Sequence, residues 1–122
     1  MRLTPARQIS GQLRLPGDKS ISHRAALIAA LASKRCEISN FSSARDCAST
    51  LGCLRDLGIS IQHKNGKLLF AGGEKLVQPS KPMDCGNSGS TLRILTGLLA
   101  GHDLTAELVG DESLSSRPMR RI

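Results

Sequence analysis

From Ile21 to Ala32 the chain is apolar except at Ser22, His23 and Arg24, with hydrophobic side chains on nearly every helical face. That pattern predicts a helix buried on most sides. Ahead of it, Gln12 to Leu15 alternates as a short strand and leads into a Pro16-Gly17 turn. Cys36 to Asn40 alternates again. Ser42 or Ser43 then caps a second helix, with Cys47, Leu51, Leu54 and Leu57 on one face and Gly58 as the C-cap. Ile59 to Gln62 and Leu68 to Ala71 read as strands around a Lys64-Asn65-Gly66 turn. Gly72 to Pro82 is a loop, Met83 to Cys85 a short strand, Ser90 to Ala100 a third helix closed by Gly101, and Leu104 to Val109 a last strand. The resulting order, β-α-β-α-β-β-β-α-β, predicts an α/β fold with helices packed on a sheet.

The start of the first helix carries more than packing information. Leu15-Pro16-Gly17-Asp18-Lys19-Ser20-Ile21-Ser22-His23-Arg24 places a tight turn before Ser20 at the expected N-cap, with Lys19 just outside the helix. Arg24 follows four residues after Ser20, on the same face. Free N–H groups at a helix N-terminus favour an anion, and cations there oppose the macrodipole by about 0.3–1 kcal/mol each. With no acid in the turn after Ser20, an external anion would relieve the conflict. A nucleotide P-loop does not fit, since five residues rather than four separate Gly11 from Gly17, and Asp18 precedes Lys19.

A second stretch has similar chemistry. In Asp84-Cys85-Gly86-Asn87-Ser88-Gly89-Ser90-Thr91-Leu92-Arg93, Gly86 and Gly89 allow close approach of a ligand to the backbone, while Asn87, Ser88 and Ser90 offer donors. The two stretches form a faint internal repeat, whose offset drifts from 68 residues at Ser20 and Ser88 to 70 at the strand that follows each helix. Beyond the last strand, Arg117-Pro118 favours an extended backbone that projects the guanidinium from a loop.

Composition supports anionic partners. Seventeen Lys and Arg against ten Asp and Glu give a net charge of +7 in 122 residues. Nucleic acid is poorly supported, because Phe41 and Phe70 are the only aromatics on which bases could stack. The basic residues are also dispersed, apart from Arg117, Arg120 and Arg121. Cys36, Cys47, Cys53 and Cys85 lack metal-site spacing with His23, His63 or His102, so no metal is expected. Arg2, Arg7 and Arg14 interrupt any signal-peptide pattern, and no run approaches a membrane span, so a cytoplasmic protein with reduced thiols is the expectation.

Leu15 to Ala32, Asp84 to Gly101 and Gly110 to Met119 together resemble the successive N-terminal motifs of the EPSP synthase (3-phosphoshikimate 1-carboxyvinyltransferase) family. The related UDP-N-acetylglucosamine enolpyruvyl transferases open this motif with Lys-Asn rather than Lys19-Ser20. The resemblance implies repeated β-α-β-α-β-β units of the enolpyruvyl transferase fold, here about one repeat and the start of the next. It implies that Lys19, Ser20 and Arg24 hold shikimate 3-phosphate, that Lys19, Asn87, Gly89 and Arg117 hold phosphoenolpyruvate, and that Lys19 is catalytic. It further implies an enzyme of aromatic amino-acid biosynthesis (the shikimate pathway), with no cofactor, no nucleic-acid or membrane partner, and a monomeric full-length parent. Ser90 stands where many members have Thr, and Ile94 where plant and some bacterial members have Pro.

Members of that family have two domains. The resemblance therefore implies that residues 1–15 pair with the opposite domain, and that 16–122 form a partial N-terminal domain lacking the catalytic acids. Such a piece is expected to be inactive alone, marginally stable and prone to associate through its apolar first helix.

Overall fold

The structure, a computed structural model, describes residues 5–120. Arg2, Arg121 and the first four residues of the expected 1–15 segment lie outside the described residues. Four helices and five strands follow in the order α1 (Lys19–Leu31), β1 (Cys36–Ser39), α2 (Arg45–Asp56), β2 (Ile61–Lys64), β3 (Lys67–Phe70), β4 (Met83–Asp84), α3 (Gly89–Leu99), β5 (Leu108–Val109) and α4 (Glu112–Ser115).

The α/β expectation is borne out, with four local corrections. Gln12 to Leu15 forms no strand, and Leu13 and Leu15 are exposed, because no partner edge lies beside them among the described residues. The last strand shrinks from the expected Leu104–Val109 to two residues, because only Met83 and Asp84 face it across a ladder. The stretch between the last strand and Arg117, expected only to lead into a loop, contains the short helix α4 capped by Asp111. The second helix is capped by neither serine side chain: it starts after Ala44, while Ser42 is buried and accepts from the Ala44 N–H.

Three strands form an antiparallel sheet in the order β1-β3-β2. Asn65 and Gly66 both take positive φ, 51° and 71°. These values belong to a two-residue turn whose twist matches the flanking strands. Gly58, at φ 87°, closes α2 as expected, with the Ile59 N–H bonded to the Leu54 carbonyl at 3.0 Å. The second sheet is a parallel pair, β4 and β5, joined through α3 as a βαβ crossover.

Leu51 and Leu54 of α2, and Leu57 at its C-cap, meet Ala26, Leu27 and Ala30 of α1, Leu95 and Leu99 of α3, and Leu68 and Phe70 of β3 in one largely aliphatic core. Ile21, Ile28 and Leu31 on α1 remain 64%, 70% and 55% exposed, so that helix is covered on one side only. No helix among the described residues is long and apolar enough to cross a membrane.

Candidate anion-binding site

Asp18, not Ser20, caps α1. Its carboxylate accepts from the Ile21 N–H at 2.7 Å, which makes Lys19 the first and Ser20 the second helical residue. The expected charge conflict is thus partly answered inside the chain. Asp18 sits on the positive end of the dipole, and Lys19 Nζ lies 2.6 Å from Asp46 Oδ2. The N–H groups of Lys19 and Ser20 remain without intrahelical partners. Ser20 and Arg24 are exposed.

The turn before α1 is fixed sterically. A Cβ on Gly17 would stand 1.8 Å from the Asn40 carbonyl oxygen, so only glycine lets the Pro-Gly turn press against that loop. Ser22 completes the contact by accepting from the Ser42 N–H at 2.9 Å.

The α3 terminus repeats the arrangement. Ser88 caps it by accepting from the Thr91 N–H at 3.0 Å, leaving the Gly89 and Ser90 amides unpaired within the helix. Counted from the caps Asp18 and Ser88, the two helices lie 70 residues apart, the upper end of the expected 68–70 offset, so it is Asp18 rather than Ser20 that matches Ser88. Ser88 is fully buried and bonded to its own helix, and so offers no surface donor. The reason is backbone geometry: the Ser88 N–H bonds the Cys85 carbonyl at 2.9 Å, turning the side chain inward.

Three of the expected residues do converge here. Arg117 Nη2 donates to Asn87 Oδ1 at 2.8 Å. Asn87 Nδ2 in turn donates to both carboxylate oxygens of Asp111, at 2.9 and 2.8 Å. A Cβ on Gly89 would lie 3.3 Å from Arg93 Nη1 and 3.4 Å from Arg117 Nη1, so two guanidinium groups overhang the Gly89 backbone. Arg117 therefore folds back onto α3 rather than projecting freely from its loop. All these groups follow the carboxyl ends of β4 and β5, the side of a parallel sheet where ligands bind.

Asp111 and Asp46 were not legible as site residues. Asp111 accepts from the Leu114 N–H at 2.8 Å while orienting Asn87. The Leu114 N–H, then Asn87, and more weakly Arg117, hold its carboxyl below the usual carboxylate range. Its place before Glu112 was a capping signal, but nothing local marked the bond to Asn87. Asp46 joins the two termini: its carboxylate meets Lys19, and its main-chain carbonyl accepts from Thr91 Oγ1 at 3.1 Å. Among the described residues no cluster of three His, Cys, Asp or Glu could hold a metal.

Two helix N-termini with free amides, bridged by one aspartate and flanked by Lys19, Arg24, Arg93 and Arg117, define an α/β chain suited to binding two small anions. A family model of EPSP synthase (3-phosphoshikimate 1-carboxyvinyltransferase) matches residues 3–122, and the chain belongs to that family. It is 48% identical over its whole length to the 3-phosphoshikimate 1-carboxyvinyltransferase of Koribacter versatilis, covering 29% of that protein. The Solibacter usitatus enzyme is 49% identical over 99% of the chain, again with 29% of that protein covered. A solved EPSP synthase from Acinetobacter baumannii superposes with a TM-score of 0.85 at 38% identity, over 91% of this chain and 26% of that one. The chain thus spans under a third of the length of the curated relatives it matches.

Proposed function

We propose that this chain supplies part of the substrate surface of an enzyme that transfers the enolpyruvyl group of phosphoenolpyruvate to the 5-hydroxyl of shikimate 3-phosphate. The observation that carries this reading is the pair of helix termini joined at Asp46, within a chain of the EPSP synthase family. Shikimate 3-phosphate is assigned to the α1 terminus, with its phosphate on Ser20, Arg24 and Lys19. Phosphoenolpyruvate is assigned to the α3 terminus, with its anionic groups on Arg117, the Gly89 backbone and Lys19, and with Asn87 holding Arg117 in place. Lys19 suits both roles, because its partner Asp46 also touches Thr91 of α3.

In the reaction the 5-hydroxyl adds to C2 of phosphoenolpyruvate while C3 gains a proton, and the tetrahedral intermediate then expels phosphate. Lys19 and Arg117 offset the charge that moves among these states, without a metal or organic cofactor. The proton transfers need carboxylates free to act on the reacting carbons. Here Asp18 caps a helix, Asp46 pairs with Lys19 and Asp111 holds Asn87. None of these three is free for that work, and we read the chain alone as inactive.

The exposed Ile9, Leu13 and Leu15 support assigning residues 1–15 to the opposite domain of the whole protein, with 16–122 as part of its N-terminal domain. The full-length protein is read as a cytoplasmic monomer. Following phosphate release with both substrates tests the proposal. In a full-length protein carrying this chain, Lys19→Ala and Arg117→Ala should each slow turnover at least about a hundredfold, the scale of losing one charged stabiliser of the transition state. Activity within a few-fold of wild type for both would end the assignment.

A further inference from the structure

Four polar side chains cross the interior between α1, α2 and α3 in single file. His23 Nδ1 lies 2.7 Å from Thr50 Oγ1, Thr50 Oγ1 2.8 Å from Thr91 Oγ1, and Thr91 Oγ1 2.7 Å from Ser88 Oγ. None of the four residues is more than 1% exposed. The Asp46 carbonyl runs alongside at longer range, 3.1 Å from Thr91 Oγ1 and 3.4 Å from Thr50 Oγ1. Burying such groups is costly unless each finds a partner. One atom does not: His23 Nε2 is buried and unpartnered.

That orphan sets the proton order. A neutral imidazole has one N–H. On Nε2 it would be a buried donor with no acceptor, a rare and costly defect. On Nδ1 it donates to Thr50, and the only unmatched group on the ring is then the Nε2 lone pair. Each threonine then has one proton to pass on: Thr50 passes its own to Thr91, and Thr91 shares its own between Ser88 Oγ at 2.7 Å and the Asp46 carbonyl at 3.1 Å, the shorter branch leading to Ser88. The line ends at the α3 cap, beside Gly89. The charged groups facing the ring oppose one another, Asp46 from α2 favouring the imidazolium and Lys19 from α1 disfavouring it, while burial, the largest influence, keeps the ring neutral.

We propose that His23 is a positioning residue: as the neutral Nδ1–H tautomer it starts a one-way hydrogen-bond relay through Thr50 and Thr91 that fixes the α3 cap, and so the Gly89 seat, against α1. Its bearing on phosphoenolpyruvate rests on the function proposed above; the relay itself does not. Nitrogen-15 NMR of histidine in this chain reads the tautomer directly. A neutral Nδ1–H ring at pH 7.5 is expected, and an Nε2–H ring or an imidazolium would overturn the relay.

Titration with phosphoenolpyruvate, followed at the Gly89 amide, then tests positioning. Thr50→Val keeps the shape but lacks the hydroxyl and should weaken binding at least about tenfold, the equivalent of one hydrogen bond. Thr50→Ser should restore affinity to near wild type. Val binding like wild type, or Ser binding as weakly as Val, would refute the positioning role. A wild-type chain whose Gly89 amide ignores phosphoenolpyruvate would instead refute the proposed function, with the tautomer still deciding the relay.

Discussion

Adding a single methyl group at Gly89 should separate binding from folding. The new Cβ would lie 3.3 Å from Arg93 Nη1, 3.4 Å from Arg117 Nη1 and 3.8 Å from Leu114 Cδ1. Optimal carbon contacts fall near about 3.5–4.0 Å, so both guanidinium ends must retreat by a few tenths of an ångström. They are the far ends of flexible side chains, and alanine is a better helix former than glycine. The fold should therefore change by less than about 0.5 kcal/mol, or about 2–4 °C in melting temperature. The ligand has no such freedom. The methyl group occupies the space through which an anion reaches the first-turn amides, and it displaces the two cations that would hold that anion. Losing one charge-assisted hydrogen bond costs about 1.5–3 kcal/mol, about a ten- to hundredfold loss of affinity. NMR titration of Gly89→Ala with phosphoenolpyruvate, beside a thermal melt, checks both halves. Wild-type affinity in a well-folded variant would refute the placement of the anion at this helix start.

Gly17→Ala should act on the fold instead. Its Cβ would meet the Asn40 carbonyl at 1.8 Å, against main chain that cannot simply swing away, so a loss of about 1–3 kcal/mol or more should appear in urea melts, and an unchanged midpoint would contradict the packing. Acid should weaken the chain in two stages. Burial holds the His23 pKa below its ordinary value, so the unfolded chain binds more protons: stability is complete above about pH 6.5 and falls as the pH drops through the folded-state pKa. A second fall follows at lower pH as Asp111 and Glu37 protonate, both held below their ordinary values, chiefly by the Leu114 N–H and by Lys67. His23→Asn should remove the first stage from pH-dependent melts, and an unaltered profile would show that His23 does not cause it. Ile21, Ile28 and Leu31 form an exposed stripe on α1, so light scattering should show association that changing all three to Gln suppresses without lowering the melting temperature.

What was legible in the sequence was local chemistry. Asn65-Gly66 announced its turn, Gly58 its cap, and the apolar runs their helices, because each is decided within a few residues. Gln12 to Leu15 was misread because alternation shows a strand's faces but not whether an edge exists to pair with it. The α1 cap was misplaced by two residues: Ser20 and Asp18 are both good caps, and the choice fell to the turn that Gly17 packs against Asn40. Asn87, Gly89 and Arg117 were legible as motif residues, but their convergence depends on Asp111, 24 residues from Asn87. Asp46 and the buried line from His23 to Ser88 could not be read at all. Their partners lie on three different helices, and only packing brings them together.

The central claim is that two chemically distinct anions occupy two separate helix termini. Mapping amide shifts of the nitrogen-15-labelled chain with shikimate 3-phosphate, and then with phosphoenolpyruvate, tests it directly. The account predicts two footprints, one at Lys19, Ser20 and Arg24 and the other at Asn87, Gly89 and Arg117, meeting at Asp46. A single shared footprint, or weak shifts scattered over every exposed lysine and arginine, would contradict it.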